Sequence, residues 1–227
     1  MAGHNPYAPP RAPLIEVSLP AAFAAGDWAP GQLRVLGALA LGCLFGVLAL
    51  LAQGIWAALH PQHPALPWAY LLGLLLALLW GYLLLRLKGL LGDRFAARGL
   101  GWPVGVQLFA GLLLSGLAAL GEAPALAHPG ALELGYFALC VALGLSQAWF
   151  ALGLRRIRQA WTALRLFAFL LFSGGILCAS VVLLVPALLL GMLACLALAR
   201  VFFAAAAELQ GAPGRSGERP GRVSRSG

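Results

Sequence analysis

Long runs of apolar residues alternate along this chain with short segments that hold nearly all of its charge and most of its proline. The first run extends from Val35 to Leu59, the second from Trp68 to Leu85, the third from Val104 to about Leu120 and the fourth from Leu134 to Leu154. A transmembrane helix needs about 20 predominantly apolar residues, so each of these predicts one crossing. The last run, Leu166 to Ala199, holds 34 residues without a charge. At about 1.5 Å per residue it would form a rod of roughly 51 Å, against a hydrocarbon core of about 30 Å. One crossing would demand a tilt outside the common range, whereas two crossings joined by a tight turn fit. Pro186 suits that turn, because its ring is accommodated in the first turn of a new helix and would remove a hydrogen bond inside a continuing one. The stretch SVVLLVP is then the turn, and Gly174 and Gly175 are a packing kink within the fifth helix.

The pattern therefore predicts an all-α polytopic membrane protein, a bundle of six transmembrane helices in three hairpins, over 35–59, 68–85, 104–120, 134–154, 164–183 and 186–206. Residues 1–34 are expected to be a flexible cytoplasmic head, with a short interfacial helix near 20–25. The basic break after Leu85, RLKGLLGDRFAARGLGWP, is expected to carry a short amphipathic helix among the headgroups. Residues 208–227 are expected to be a disordered basic cytoplasmic tail, following a membrane domain over 35–207. The loops QHPALPWAY and APALAHPGALELGY share small elements that suggest, without establishing, a repeated hairpin.

Charge sets the orientation. Lys and Arg are retained on the cytoplasmic side of a membrane. With six helices and the N-terminus inside, all 15 basic residues of the chain fall on the inner side. They are Arg11 and Arg34; Arg86, Lys88, Arg94 and Arg98; Arg155, Arg156, Arg158 and Arg165; and Arg200, Arg215, Arg219, Arg222 and Arg225. The outer loops then carry only His60, His63, His128, Glu122 and Glu133. With five helices the last five arginines would lie outside, against the rule. Trp56 and Trp68 flank the first outer loop while Trp102 and Trp161 stand at inner helix starts, where indole rings favour the interface.

Composition narrows the class further. Apolar residues make up 62% of the 227 and charged residues 10%, too few to clothe a soluble domain, which needs about a quarter. The net charge of +8 is accounted for by inner anchoring, so no nucleic-acid partner is expected. The four cysteines, Cys43, Cys140, Cys178 and Cys195, lie in apolar runs without CxxC spacing, which predicts neither a disulfide framework nor a zinc site.

Candidate chemistry is sparse. Ion-coupled transport usually relies on ionisable groups inside the membrane, and the apolar runs contain none. The deepest polar side chains include Gln53, Gln107 and Gln147, either ties between helices or the polar points of a pocket for a neutral solute. His60, His63 and His128 are candidate metal ligands, though two loop histidines without a fixed third do not define a site. With Glu122 and Glu133 they also make the only candidate set for acid–base chemistry. The HExxH, GxSxG and GxxxxGK[ST] patterns are absent, and no cofactor is expected. Small residues recur every fourth position at Ala38, Gly42 and Gly46; Gly111, Ser115 and Ala119; Ala138, Ala142 and Ser146; and Gly191, Cys195 and Ala199, a spacing that lets helices approach closely in lipid.

The opening NPYAPP, Asn5 to Pro10, resembles the NPY-x-PP start of many uncharacterised bacterial inner-membrane proteins. The resemblance covers six residues of the chain. It implies a bacterial inner membrane and a cytoplasmic N-terminus, and it carries no activity.

Three functions are consistent with these features. The first is a non-enzymatic assembly, regulatory or lipid-interacting subunit that meets the bilayer and a membrane-protein partner or a second copy of itself. The second is a carrier or channel-like protein for a neutral or lipidic solute. The third is a membrane enzyme working at the periplasmic face.

Overall fold

The computed structural model describes residues 28–60, 67–97, 99–120, 130–157, 160–180 and 183–211. Among them are six helices and no strand: α1 Pro30–Leu59, α2 Pro67–Phe95, α3 Gly101–Leu120, α4 Ala131–Arg155, α5 Thr162–Ala179 and α6 Leu184–Gly211. Five are long and apolar enough to cross a membrane; the Gly101–Leu117 stretch of α3 is apolar but shorter. Among the described residues the chain is all-helical, with the apolar helices of a membrane protein. Each helix packs on its neighbours in sequence, and α6 returns to α1, so the six close into a ring.

The uncharged run after Arg165 is two helices. Gly174 and Gly175 lie inside α5, which ends at Ala179. Ser180 closes it: its backbone N–H reaches the carbonyls of Ile176 and Leu177, and its hydroxyl donates to Leu177 O at 2.6 Å. α6 then begins at Leu184, placing Pro186 within its first turn, where a missing N–H costs nothing.

Several boundaries differ from those the hydropathy predicts: most helices extend at the end that carries the arginines, α6 as far as Gly211, while at the other end α4 begins at Ala131 rather than Leu134 and α5 stops at Ala179 rather than Leu183. α1 begins at Pro30 rather than Val35, so the segment just before Val35 belongs to the bundle, and Trp28 ahead of it is buried. α2 continues through the expected break to Phe95, and among the described residues there is no separate amphipathic helix. The reason is periodicity. Leu83, Leu84, Leu87, Leu90 and Leu91 are all fully buried, so the core-facing stripe persists while Lys88 and Asp93 stay exposed. Ala96, at φ 51, then breaks the helix in a left-handed conformation, and Ala97 N–H donates back to Leu91 O at 3.3 Å.

The described basic residues gather at one end of the bundle, where polar ties lock the helices together. Arg94 of α2 pairs with Glu208 of α6 at 2.6 Å, and Arg34 of α1 donates to Gln210 Oε1 at 2.9 Å. Trp28 donates its indole N–H to Asp93 at 2.7 Å, and the Arg86 guanidinium lies 5.7 Å from the Trp28 ring. Phe95 meets Trp161 edge to face at 5.3 Å. The largest fully buried side chains, among them Leu33, Leu36, Phe150, Leu154, Phe167 and Phe202, lie in this same half. The head at 1–27 and the tail at 212–227 lie outside the described residues.

Candidate functional site

Toward the opposite end from the arginines the packing opens into a cavity of about 370 Å³, to which all six helices contribute. That volume falls within the usual range of small-ligand sites, about 300–1,000 Å³. Its walls are Cys43 and Val47 of α1; Leu76, Ala77, Trp80 and Gly81 of α2; Gln107, Leu108, Gly111 and Leu114 of α3; and Leu143 and Gln147 of α4. On the far side stand Leu170, Leu171, Gly174 and Cys178 of α5, and Ala187, Leu188, Gly191, Ala194 and Cys195 of α6. Among the described residues, no Asp, Glu, Lys, Arg or His lines the cavity. Trp80 borders it from the arginine side and rests 6.5 Å from the ring of Phe167.

Two of the three glutamines meet here. Gln107 is buried, with 3% of its surface exposed. Its Nε2 donates to the backbone carbonyl of Ser146 across the α3–α4 contact at 3.3 Å. Because that carbonyl can only accept, the amide is held with its nitrogen toward α4, and Oε1 is left without a hydrogen-bond partner. A buried acceptor without a donor costs about 1–3 kcal/mol, and no bulk water reaches the bilayer core to relieve it. Gln147 lines the same cavity, and its Cβ abuts Gly175, where a methyl group would sit 3.1 Å away. Gln53 lies on α1 and is not part of the wall.

No protein family, curated protein or solved structure matches this chain.

The small-residue stripes divide. Gly46 faces Leu76, and Gly111 and Cys195 border the cavity. Ser146 donates its hydroxyl to Leu143 O at 2.8 Å, and Ser115 donates to Gly111 O at 3.0 Å. Ala38, Gly42 and Ala138 instead point outward. The tightest approach involves Gly144, which the four-residue spacing passes over. A Cβ there would strike the Gly175 carbonyl, and one on Gly175 would come within 2.6 Å of the Gly144 carbonyl.

The loop candidates are only partly described. His60 caps α1, its Nδ1 3.0 Å from Trp56 O and its ring stacked on Trp56 at 4.7 Å. Glu133 stands in the first turn of α4, where a carboxylate favours the positive helix end. His63, His128 and Glu122 lie outside the described residues. Among the described residues no three His, Cys, Asp or Glu side chains gather as a metal site would require.

Proposed function

We propose that this is a multi-pass membrane protein, without catalytic activity of its own, that holds or carries a neutral amphiphile in the cavity between its six helices. The observation that carries the reading is the buried, unpartnered Oε1 of Gln107 in an uncharged and largely apolar wall. An acceptor kept there at a cost in stability is matched by a ligand that brings a hydroxyl or amide N–H. The uncharged wall favours a neutral polar group, and the apolar remainder accommodates a hydrocarbon body. Gln147 supplies a second hydrogen-bonding group on the same wall.

In this reading α3 is the sixth crossing. Its 20 residues rise about 30 Å, close to the hydrocarbon thickness. The bundle would sit in a bacterial inner membrane with both termini in the cytoplasm, as the distribution of arginines and the NPYAPP leader suggest.

A second reading, an assembly or regulatory subunit, draws on a separate observation. Ala38 and Gly42 turn away from the bundle, with open space beyond Gly42, a surface on which a helix of a partner or a second copy would pack closely.

The test is to extract the full-length protein gently and identify its bound small molecules and lipids by native mass spectrometry. A stoichiometric neutral amphiphile that Gln107→Leu and Gln147→Leu both deplete, in variants that stay folded, supports the carrier. Lipid content equal to that of the surrounding membrane and indifferent to both substitutions overturns it.

A further inference from the structure

A second, larger concavity lies at the arginine end and shares no residue with the cavity between the helices. Its volume is about 1320 Å³, above the usual range for a small-molecule site, which ends near 1,000 Å³. One wall is a single face of α4, where Leu145, Trp149, Leu152 and Arg156 succeed one another at three- and four-residue steps. From Leu145 to Arg156 that face rises about 16 Å. Ile176 of α5 flanks its deep end, and Ala96, Ala97, Gly99 and Leu100, between α2 and α3, roof its shallow end. The deep part is apolar and open, with Trp149 66% exposed.

The charges concentrate under the roof. Arg94 and Asp93 line it, and each is already engaged, Arg94 with Glu208 and Asp93 with the Trp28 indole. Arg156 is exposed at the end of α4. The groove therefore presents a cation at the level where headgroups lie and a hydrocarbon-facing channel beneath it. Basic pockets between helices at the cytoplasmic surface attract anionic lipid headgroups.

We propose that this groove seats an anionic glycerophospholipid, its phosphate against Arg156 and one acyl chain along Leu145, Trp149 and Ile176. The size of the groove, its graded lining and its cation at the interface together fit this occupant; a free anion would leave the apolar length unfilled. The lipid would bridge the α2–α3 connection to the α4–α5 pair.

The experiment uses the full chain, delipidated in a neutral detergent and titrated separately with phosphatidylglycerol and phosphatidylcholine, with adducts counted by native mass spectrometry. The expected result is one retained phosphatidylglycerol, weakened about fivefold by Arg156→Ala and by Trp149→Ala, and unchanged by Arg200→Ala, which removes an exposed arginine of α6 outside the groove. Equal retention of phosphatidylcholine, equal loss from the Arg156 and Arg200 variants, or displacement by millimolar inorganic phosphate would each overturn it. Because Gln107 and Gln147 do not line the groove, failure here leaves the carrier reading standing, and the reverse also holds.

Discussion

Gly144 of α4 and Gly175 of α5 face each other with their backbones in contact, and neither has room for a methyl group. A Cβ on Gly175 would lie 2.6 Å from the Gly144 carbonyl and 2.9 Å from the Ala148 nitrogen. In lipid, where hydrocarbon outside a helix is as apolar as hydrocarbon between helices, such close approach is a main source of association. This contact also brings Gln147 beside α5 at the cavity wall.

Gly175→Ala sets two effects against each other. Alanine improves helix propensity by at most about 1 kcal/mol, while forcing a methyl group against backbone that has no flexible end to move costs about 1–3 kcal/mol. The clash wins, so the variant is expected to unfold at lower temperature in detergent. Gly42→Ala, with nothing within 4 Å of its added methyl, is expected to be neutral or slightly stabilising. Equal thermal transitions for the two variants would contradict the contact.

The ion pair between Arg94 and Glu208 ties the end of α2 to the end of α6, with side chains 11% and 24% exposed. A charge-assisted hydrogen bond of this kind contributes about 1.5–3 kcal/mol, less whatever water screens. Arg94→Glu places two carboxylates together and is expected to destabilise; adding Glu208→Arg is expected to recover most of the loss. A double variant no more stable than Arg94→Glu alone would show that the pair is not a direct one.

What was legible in the chain follows from which forces act locally. The helices, and the division of the run after Arg165 into two, could be read because a bilayer imposes apolar length on each crossing. Their ends at the arginine side could not, because Leu87, Leu90 and Leu91 bury themselves beyond the point where hydropathy falls. Gln107 and Gln147 stood out as polar residues in apolar runs, but only the closed ring of helices shows that they share a cavity and Gln53 does not. Gly144 was hidden for the opposite reason. In a sequence this rich in Gly and Ala, four-residue spacings abound, and Ala138, which carried the expected stripe on α4, is exposed. Arg94 and Glu208 are 114 residues apart, and no local pattern joins them.

Ala96 holds φ 51 at the end of α2. For a residue with a Cβ the left-handed region costs about 1–2 kcal/mol, and glycine removes that cost at an entropic penalty of about 0.5–1 kcal/mol. Ala96→Gly is therefore expected to raise the thermal midpoint slightly, whereas Ala96→Val, with a branched Cβ, is expected to lower it. The order valine, alanine, glycine in rising stability is the result that thermal unfolding should return.

The proposed topology predicts a definite labelling pattern. A cysteine introduced at Gln62, between α1 and α2, should react with a membrane-impermeant maleimide added outside intact cells. Cysteines at Ser216 or at Ala2 should react only after the membrane is opened. The four native cysteines are free, and Cys43, Cys140 and Cys195 are buried, so their background labelling should be low. Reaction of Ser216→Cys but not of Ala2→Cys in intact cells would mean an odd number of crossings and would remove α3 as a span.

The sign of a stability change separates a ligand group from a structural tie at Gln107. If the amide served only to join α3 to α4, Gln107→Leu would lose the hydrogen bond to Ser146 O and lower stability by about 0.5–1.5 kcal/mol. The Ser146 carbonyl lies within helix α4, so losing the amide need not orphan it. Leucine meanwhile removes the unpartnered Oε1, whose burial costs about 1–3 kcal/mol. The ligand-free variant is therefore expected to be at least as stable as the ligand-free wild type, with a thermal midpoint equal or higher. Adding the bound amphiphile back should raise the midpoint of the wild type and leave the variant unmoved, because a ligand stabilises only the state that binds it. A lower midpoint without ligand, together with an equal response to it, would make Gln107 a tie between helices and nothing more.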